Sequence, residues 1–318
     1  MNTSQENSTN TVSRLSPIFR ENVFSRIDNT DDAAFYARER FVNHLDSLAL
    51  NTTRQLIGSL IIEDHPVILD LMAGWDSHIP AELQPSRVVG LGLNEKELEA
   101  NDRLDERIIH DLNEDPSLPF PSNTFDAVLN IVSVDYMTRP LEVFREAGRI
   151  LKPGGLFLVV FSNRMFPQKA VKIWRDSDEG ERVILVEEFF RQAGIFEKPL
   201  FFASRGKPRP KDDKYAHLES TSDPVYAVYA DKKGAVVPMR RPEARTIYGP
   251  PMDKEVLEAK TRNVKNTLCC PHCDEALKKW AVPDNPFCQT WDNDFMYICF
   301  NDECPYFVRG WDKMYRDT

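Results

Sequence analysis

The sequence predicts an α/β protein: a parallel sheet covered by helices on both faces, followed by a small module built around a metal. Two observations carry this reading. Between residues 67 and 161, short apolar runs alternate with helix-spaced segments at the pitch of strand–helix–strand units. All six cysteines fall after residue 268, and none precedes it. A disulfide-stapled secreted chain spreads its thiols through the fold, whereas a metal-built terminal domain gathers them.

A length of 318 residues gives room for one full α/β domain and one smaller module. The formal charge of −10 argues against a dedicated duplex-DNA binder, which needs a broad basic face. A neutral small substrate, a protein substrate or RNA held by a local patch remains compatible. The chain lacks the long uncharged apolar run that a membrane-spanning helix requires. Residues 1–14 are rich in Asn, Ser and Thr, lack the apolar core of a secretory signal, and are expected to be disordered in a cytoplasmic protein. The expected organisation is a sheet domain over 15–235, a Pro- and charge-rich linker over 236–265 with one short helix near Glu255, and a cysteine module over 266–318.

The elements follow in order. From Asp31 to Ile62 apolar residues recur mostly three or four apart, as in an amphipathic helix or helix pair forming an N-terminal cap, with Asp31 or Asp32 as N-cap. Val67 to Leu71 reads as a strand, Met72 to Ser77 as a loop and Val88 to Leu91 as the next strand. Glu95 to Asn101 reads as a helix, and Ile108-Ile109 as a short strand ending at His110-Asp111. Phe125 to Val132 is a strand entered from the turn Pro121 to Thr124. Pro140 to Leu151 is helical and closed by Lys152-Pro153-Gly154-Gly155, after which Leu156 to Phe161 is a strand. Val183 to Ala193 adds a helix, and Val225 to Ala230 a late strand of the hairpin kind. The basic stretch Arg205 to Lys211 reads as a solvated loop.

The cysteines form two close pairs. Two residues separate Cys270 from Cys273, four separate Cys299 from Cys304, and the stretch between the pairs is long enough for a hairpin. Each pair suits a tight turn offering two thiolates to one ion, so a closed tetrahedral Zn2+ site is expected. Four thiolates also suit an iron–sulfur cluster, but the spacing and the small aromatic-rich module favour zinc. Cys269 and Cys288 are left over; Cys269 is an alternative to Cys270, although the Cys-Pro-x-Cys knuckle favours the latter. His272 reads as a loop residue. The module resembles zinc ribbons whose last pair reads Cys-Phe-Asn-Asp-x-Cys-Pro-Tyr. Most of its aromatics, Trp280, Phe287, Trp291 and Phe295 among them, are expected in a small core, with a subset available to stack bases or grip a protein partner.

The stretches Leu118-Pro119-Phe120-Pro121, Phe125-Asp126-Ala127-Val128 and Ile150-Leu151-Lys152-Pro153-Gly154-Gly155 together resemble class I S-adenosylmethionine-dependent methyltransferases over residues 65–230. Asp70-Leu71-Met72-Ala73-Gly74-Trp75-Asp76-Ser77-His78-Ile79-Pro80 further resembles a methyltransferase-type-11-like subgroup, as do Phe161 to Phe166 and Asp223 to Val228. The resemblance implies a Rossmann-like sheet and a cofactor crevice along the ends of the strands. It places Asp70 beneath the methionine end of S-adenosylmethionine, with Met72, Ala73 and Gly74 in the first loop. It places Gly92, Leu93 and Asn94 near the ribose, Asp111 and Leu112 beside the adenine, and Asn130 along the sulfonium. Two positions depart from the usual pattern. The first loop keeps only the middle of its three glycines, Gly74, and Gly92 stands where an acidic residue normally binds the ribose, with Asn94 or Glu95 as substitutes.

Three residues are weak candidates for acid–base chemistry. His78 follows Ser77, read as an N-cap that places it in a helix's first turn; His44 lies on the helix read over the crevice; Tyr136 follows the fourth strand beside Asp135. Arg164 suits either an acidic substrate group or a salt bridge at the sheet edge. The favoured reading is a methyltransferase acting on an unidentified acceptor, its ribbon aiding substrate or partner recognition. The alternative is a non-catalytic methyltransferase-fold scaffold whose ribbon binds protein or RNA.

Overall fold

The computed structural model describes residues 22–211, 213–217, 220–236, 247–248, 254–281, 295–301, 304 and 306. Its centre is a mixed sheet of eight strands in the order β3-β2-β1-β4-β5-β7-β6-β8. These are β1 (Val67–Leu71), β2 (Arg87–Gly92), β3 (Glu106–Ile109), β4 (Phe125–Ile131), β5 (Leu151–Phe161), β6 (Leu200–Arg205), β7 (Val225–Asp231) and β8 (Ile247–Tyr248). The pairs β2–β3, β1–β2, β1–β4 and β4–β5 are parallel, while β7 runs antiparallel between β5 and β6. The chain winds outward from β1 to β3 and then returns to place β4 on the other side of β1. That reversal opens a crevice at the carboxyl ends of β1 and β4.

Alternating side chains feed two cores. Leu69, Leu71, Val89, Leu91, Val128 and Phe157 face a ring-rich layer containing Phe144, Trp174, Phe189 and Phe190. Ile68, Val88, Ala127, Leu129, Leu158 and Val160 face Leu56, Ile57 and Leu60 on the other side. A strand covered on both faces has no polar side to show, which is why these segments read as unbroken apolar runs.

The helices are α1 (Asp32–Tyr36), α2 (Ser47–Leu60), α3 (Glu95–Ala100), α4 (Pro140–Ile150), α5 (Lys172–Asp176), α6 (Glu179–Ala193) and α7 (Lys254–Thr267). The span 31–62 is thus a helix pair. Asp31 caps α1 by accepting from Ala33 N. Asp46 caps α2 by accepting from Leu48 N and Ala49 N, so residues 37–46 are a connecting segment in which Phe41 and Val42 are exposed. His44 therefore lies before the helix, not on it.

Other differences have local causes. Residues 152–155 do not close α4 but form the bulged start of β5, where Leu151 pairs with Phe125 before the register shifts. Asp126 accepts from Val67 N and from the Lys152 ammonium at 2.8 Å, holding the bulge to two strands. α6 begins four residues earlier than its apolar spacing shows because Asp178 and Glu181 form a capping box. β6, β8 and α5 were not expected. α7 runs from the expected linker into the expected ribbon, as a longer helix than the one read near Glu255.

The basic stretch that follows from the end of β6 is solvated only in part: Gly206, Pro208 and Lys211 are exposed. Arg209 is buried and pairs with Asp223 at 2.6 Å and Asp213 at 2.9 Å, and Lys207 reaches Thr52 Oγ1. Arg209 is therefore neutralised inside the fold, which weakens the electrostatic argument for RNA binding there. The expected disordered residues 1–14 lie outside the described residues. No helix of the described residues is long and apolar enough to cross a membrane.

Candidate active site and metal centre

At the strand-order reversal lies a cavity of about 480 Å3. Asp70, Met72, Ala73, Gly74, Gly92, Leu93, Asn94, Asp111 and Leu112 all line it, as do His44, His78 and Tyr136. Asn130 is fully buried below it, its amide donating to Leu71 O and Ser133 Oγ while its Oδ1 has no partner. Residues not read as site residues from the sequence complete the wall: Arg40, Trp75, Glu97, Asn113, Phe166 and Lys214 among them.

The floor is set by one close approach. Ala73 N donates to Leu91 O at 2.8 Å, laying the first loop across the end of β2. A Cβ on Gly92 would stand 2.3 Å from Ala73 O, so no side chain fits there, and a ribose-binding carboxylate least of all. Met72 turns the loop at φ 62°, a left-handed conformation that costs a non-glycine residue energy. Asn94 lines the cavity, but its Oδ1 caps α3 at Glu97 N and its amide donates to Tyr36 O. Glu95 is exposed and outside the lining. Glu97 is the carboxylate that reaches the space: its Oε2 stands 3.4 Å from where a Cβ on Gly74 would be, and its Oε1 accepts from Arg40 N at 2.7 Å. Burial raises its pKa, opposed by the Arg40 N–H.

Asp70, one residue before the end of β1, is buried, which pushes its carboxyl up to about 6 despite a hydrogen bond with Ser77. Ser77 is not a helix cap. It is buried under the loop and accepts from Asn101 Nδ2, while Asp76 accepts from His78 N in a tight turn that leaves His78 at φ 55°. No helix follows. His78 Nδ1 lies 3.0 Å from Asp76 Oδ2, and Arg54 pairs with the same carboxylate oxygen at 2.9 Å. Burial raises the Asp76 pKa, but the imidazole and the guanidinium outweigh it and hold the group well below the usual range.

The roof is the segment around α1. Asp32 accepts two bonds from Arg26 Nη1 and one from Asn113, and lies 3.0 Å from the fully buried Lys169 Nζ, which also donates to Thr30 O. Arg40 lies over the rings of Phe35, Tyr36 and Phe166 at 4.9, 5.3 and 5.5 Å. His44 meets Phe166 edge-on at 5.6 Å, and burial lowers its pKa, helped by the charges of Arg40, His78 and Lys214. It is therefore a neutral imidazole at neutral pH. Tyr136 is a poor base: its oxygen accepts from Phe166 N at 2.8 Å, and burial holds its phenol well above the ordinary range. Asp135 beside it is buried and does not line the cavity; burial pushes its carboxyl up to about 7. Arg164 takes the salt-bridge option, pairing with Asp223 at 2.8 Å, although it also borders the cavity.

Past α7, the strands β9 (Lys278–Ala281) and β10 (Phe295–Ile298) form an antiparallel hairpin. The four sulfurs of Cys270, Cys273, Cys299 and Cys304 lie within 4.8 Å of one another, with Cys270–Cys304 at 3.8 Å and Cys273–Cys299 at 3.5 Å. Cys269 bonds its own neighbourhood, with Sγ 3.4 Å from Thr267 O, and stands outside this group. Cys288 lies outside the described residues.

Comparison with known proteins bears on the sheet. Residues 71–159 match the family described as methyltransferase domain. The matched residues lie in the β1–β5 half of a Rossmann-like sheet. The matched methyltransferase domain begins at the last residue of β1 and ends within β5, and so contains the cavity-lining residues from Met72 to Tyr136. The 27-O-demethylrifamycin SV methyltransferase of Amycolatopsis mediterranei is 28% identical over 167 residues, covering 48% of this chain and 61% of that protein. The chain thus spans about three-fifths of that relative's length. Among solved structures, a chain from the complex of the Haloferax volcanii Trm112 methyltransferase activator with a proposed methyltransferase is 15% identical. That match covers 59% of this chain and 91% of the other, with a TM-score of 0.43. A SAM-dependent methyltransferase from Archaeoglobus fulgidus is 13% identical over 58% of this chain and 93% of its own, with a TM-score of 0.42.

Asp70 makes the floor pH-sensitive. Its folded pKa of about 6 lies above the unfolded 3.8, so the protonated form fits the fold and stability is lost as pH rises through that window. In the ligand-free protein, Asp70→Asn should gain stability over wild type between these values and hold it at pH 7.5, by up to about 3 kcal/mol. Urea unfolding at pH 4 and pH 7.5 checks this, and an equal difference at both would contradict it.

Proposed function

We propose that this chain is an S-adenosylmethionine-dependent methyltransferase carrying a structural zinc ribbon. The observation that carries the reading is the cavity itself. It opens at the strand-order reversal, all of its floor but Asp70 lies within the matched domain, and its size is that of a small-molecule site. The cofactor supplies an activated methyl group. Asp70, Met72, Ala73 and Gly74 form the wall for its amino-acid end, Gly92 and Leu93 leave room for its ribose, and Asp111 and Leu112 border its adenine. Asn130 supports this wall from below. Glu97 takes the ribose hydroxyls in place of the strand-end carboxylate that Gly92 excludes.

Methyl transfer asks the protein mainly for positioning and desolvation, with a base only where the acceptor must lose a proton. We assign that proton to His44, which is neutral at neutral pH and lies beside the aromatic end of the cavity. His78 is turned against Asp76 and takes no part in that step. The Amycolatopsis enzyme takes its name from the acceptor 27-O-demethylrifamycin SV, and an O–H acceptor is the class proposed here.

The thiolate set fits zinc. A tetrahedron with Zn–S arms of about 2.3 Å has edges of roughly 3.8 Å, close to the two sulfur separations observed. Cys270, Cys273, Cys299 and Cys304 would hold the ion and tie α7 to the hairpin. Such ligation suits the reducing cytoplasm. The exposed rings of Phe295, Tyr297 and Phe300 support a role for the ribbon in substrate or partner recognition.

Calorimetric titration tests the core of this reading. S-adenosylmethionine and S-adenosylhomocysteine should both bind in the micromolar range, whereas no binding at millimolar ligand by folded, zinc-loaded protein would leave the scaffold alternative. Wild type should prefer S-adenosylhomocysteine to its 2′,3′-dideoxyribose analogue by about tenfold or more, and Glu97→Gln should erase most of that preference. Equal weakening of both ligands would mean that Glu97 acts only through Arg40. His44→Gln should lower kcat by about a hundredfold or more with the S-adenosylhomocysteine Kd unchanged; an unchanged kcat would remove His44 as the base. Cys299→Ser should lose stoichiometric zinc by elemental analysis while the sheet's unfolding transition stays in place, and full zinc retention would overturn the ligand assignment.

A further inference from the structure

The cavity has two electrically different ends. The floor carries Asp70, Glu97 and Asp111. The opposite wall, in a chain whose formal charge is −10, carries Arg40, His44 and Lys214 beside the rings of Phe166 and Tyr215. Glu97 accepts from Arg40 N and feels the guanidinium's charge without forming an ion pair with it, while the other carboxylates near that wall have partners of their own. Asp76 is held by Arg54, Asp32 by Arg26 and Lys169, Asp213 by Arg209, and Asp223 by Arg164 and Arg209.

Arg40 and Lys214 are not paired in this way. Among the described residues neither makes an ion pair. Arg40 donates to the carbonyls of Phe35 and Arg38 and lies over three rings, and Lys214 Nζ sits 4.9 Å from the Tyr215 ring. The charges of Arg40 and Lys214 both act on His44. A half-buried guanidinium and an exposed ammonium that border one ring-lined space attract an anion more strongly than either does alone. A guanidinium offers more donors than two carbonyls use, in a fork that matches a carboxylate.

We infer that the methyl acceptor is an aromatic carboxylate, whose acid group docks at Arg40 and Lys214 and whose ring lies against Phe166. The carboxylate is a handle and not the atom that reacts. It fixes the ring so that a hydroxyl on it faces His44, and it selects acidic acceptors against neutral isosteres. This rests on the methyltransferase reading of the same cavity.

The test uses the full zinc-loaded chain saturated with S-adenosylhomocysteine, with 4-hydroxybenzoate and its neutral isostere 4-hydroxybenzamide as probes. A first titration with S-adenosylhomocysteine alone separates the two claims: its failure removes the methyltransferase reading, and its success leaves only the acceptor class at issue. The acid should then bind at least about tenfold more tightly than the amide, the margin of one charge-assisted hydrogen bond. It should also shift the His44 ring signals in the NMR spectrum. Lys214→Gln should reduce the preference severalfold while leaving S-adenosylhomocysteine affinity intact, and Lys214→Arg should restore it. Equal binding of the two probes, absence of acid binding, or a preference that survives Lys214→Gln combined with Arg40→Gln would overturn the inference.

Discussion

The crossing of the first loop over the end of β2 governs much of what surrounds it. Once Ala73 N bonds to Leu91 O, the loop backbone lies so near the next strand that residue 92 must lack a side chain. Met72 must then turn through a left-handed conformation, and Asn94 is left to cap the helix that follows. The acid that cannot stand on the strand appears instead in the first turn of α3. There the exposed amides of a helix N-terminus favour negative charge, so Glu97 is placed where its ionised form is tolerated despite its burial.

Much of the sheet was legible because strands covered on both faces are continuous apolar runs. β1, β2, β4, β7 and the second half of β5 were read within a residue or two. β6 was missed because Leu200 and Phe201 are partly exposed while only its later residues are buried, so its pattern belongs to neither a core nor an edge strand. The start of β5 was missed because Pro-Gly-Gly reads as a turn, whereas the backbone uses it to bulge past Asp126. The cysteine knuckles were legible from spacing alone, since tight turns fix the relation of near neighbours.

The site was legible in its floor and not in its roof. Floor residues sit at strand ends, where topology alone decides their position. The roof depends on contacts between residues far apart in the chain: Lys169 with Asp32, Arg40 N with Glu97, Asn94 with Tyr36. No periodicity records such pairs. His78 illustrates the limit, because Ser before His reads as a cap until Asp76 is seen to take the His78 N–H and turn the chain away from a helix. Arg209 is the reverse case, a charge read as solvated that lies buried among three aspartates.

The bond between Arg40 N and Glu97 Oε1 joins the roof to the floor through a single carboxylate. If its other oxygen holds the ribose as proposed, occupancy of the cavity and closure of its cover are thermodynamically linked. Whatever factor the cofactor gains from a closed cover, the cover gains from a bound cofactor. An acceptor drawn to Arg40 joins the same linkage from above, so the order in which the two ligands arrive changes the kinetics of assembly but not its total free energy.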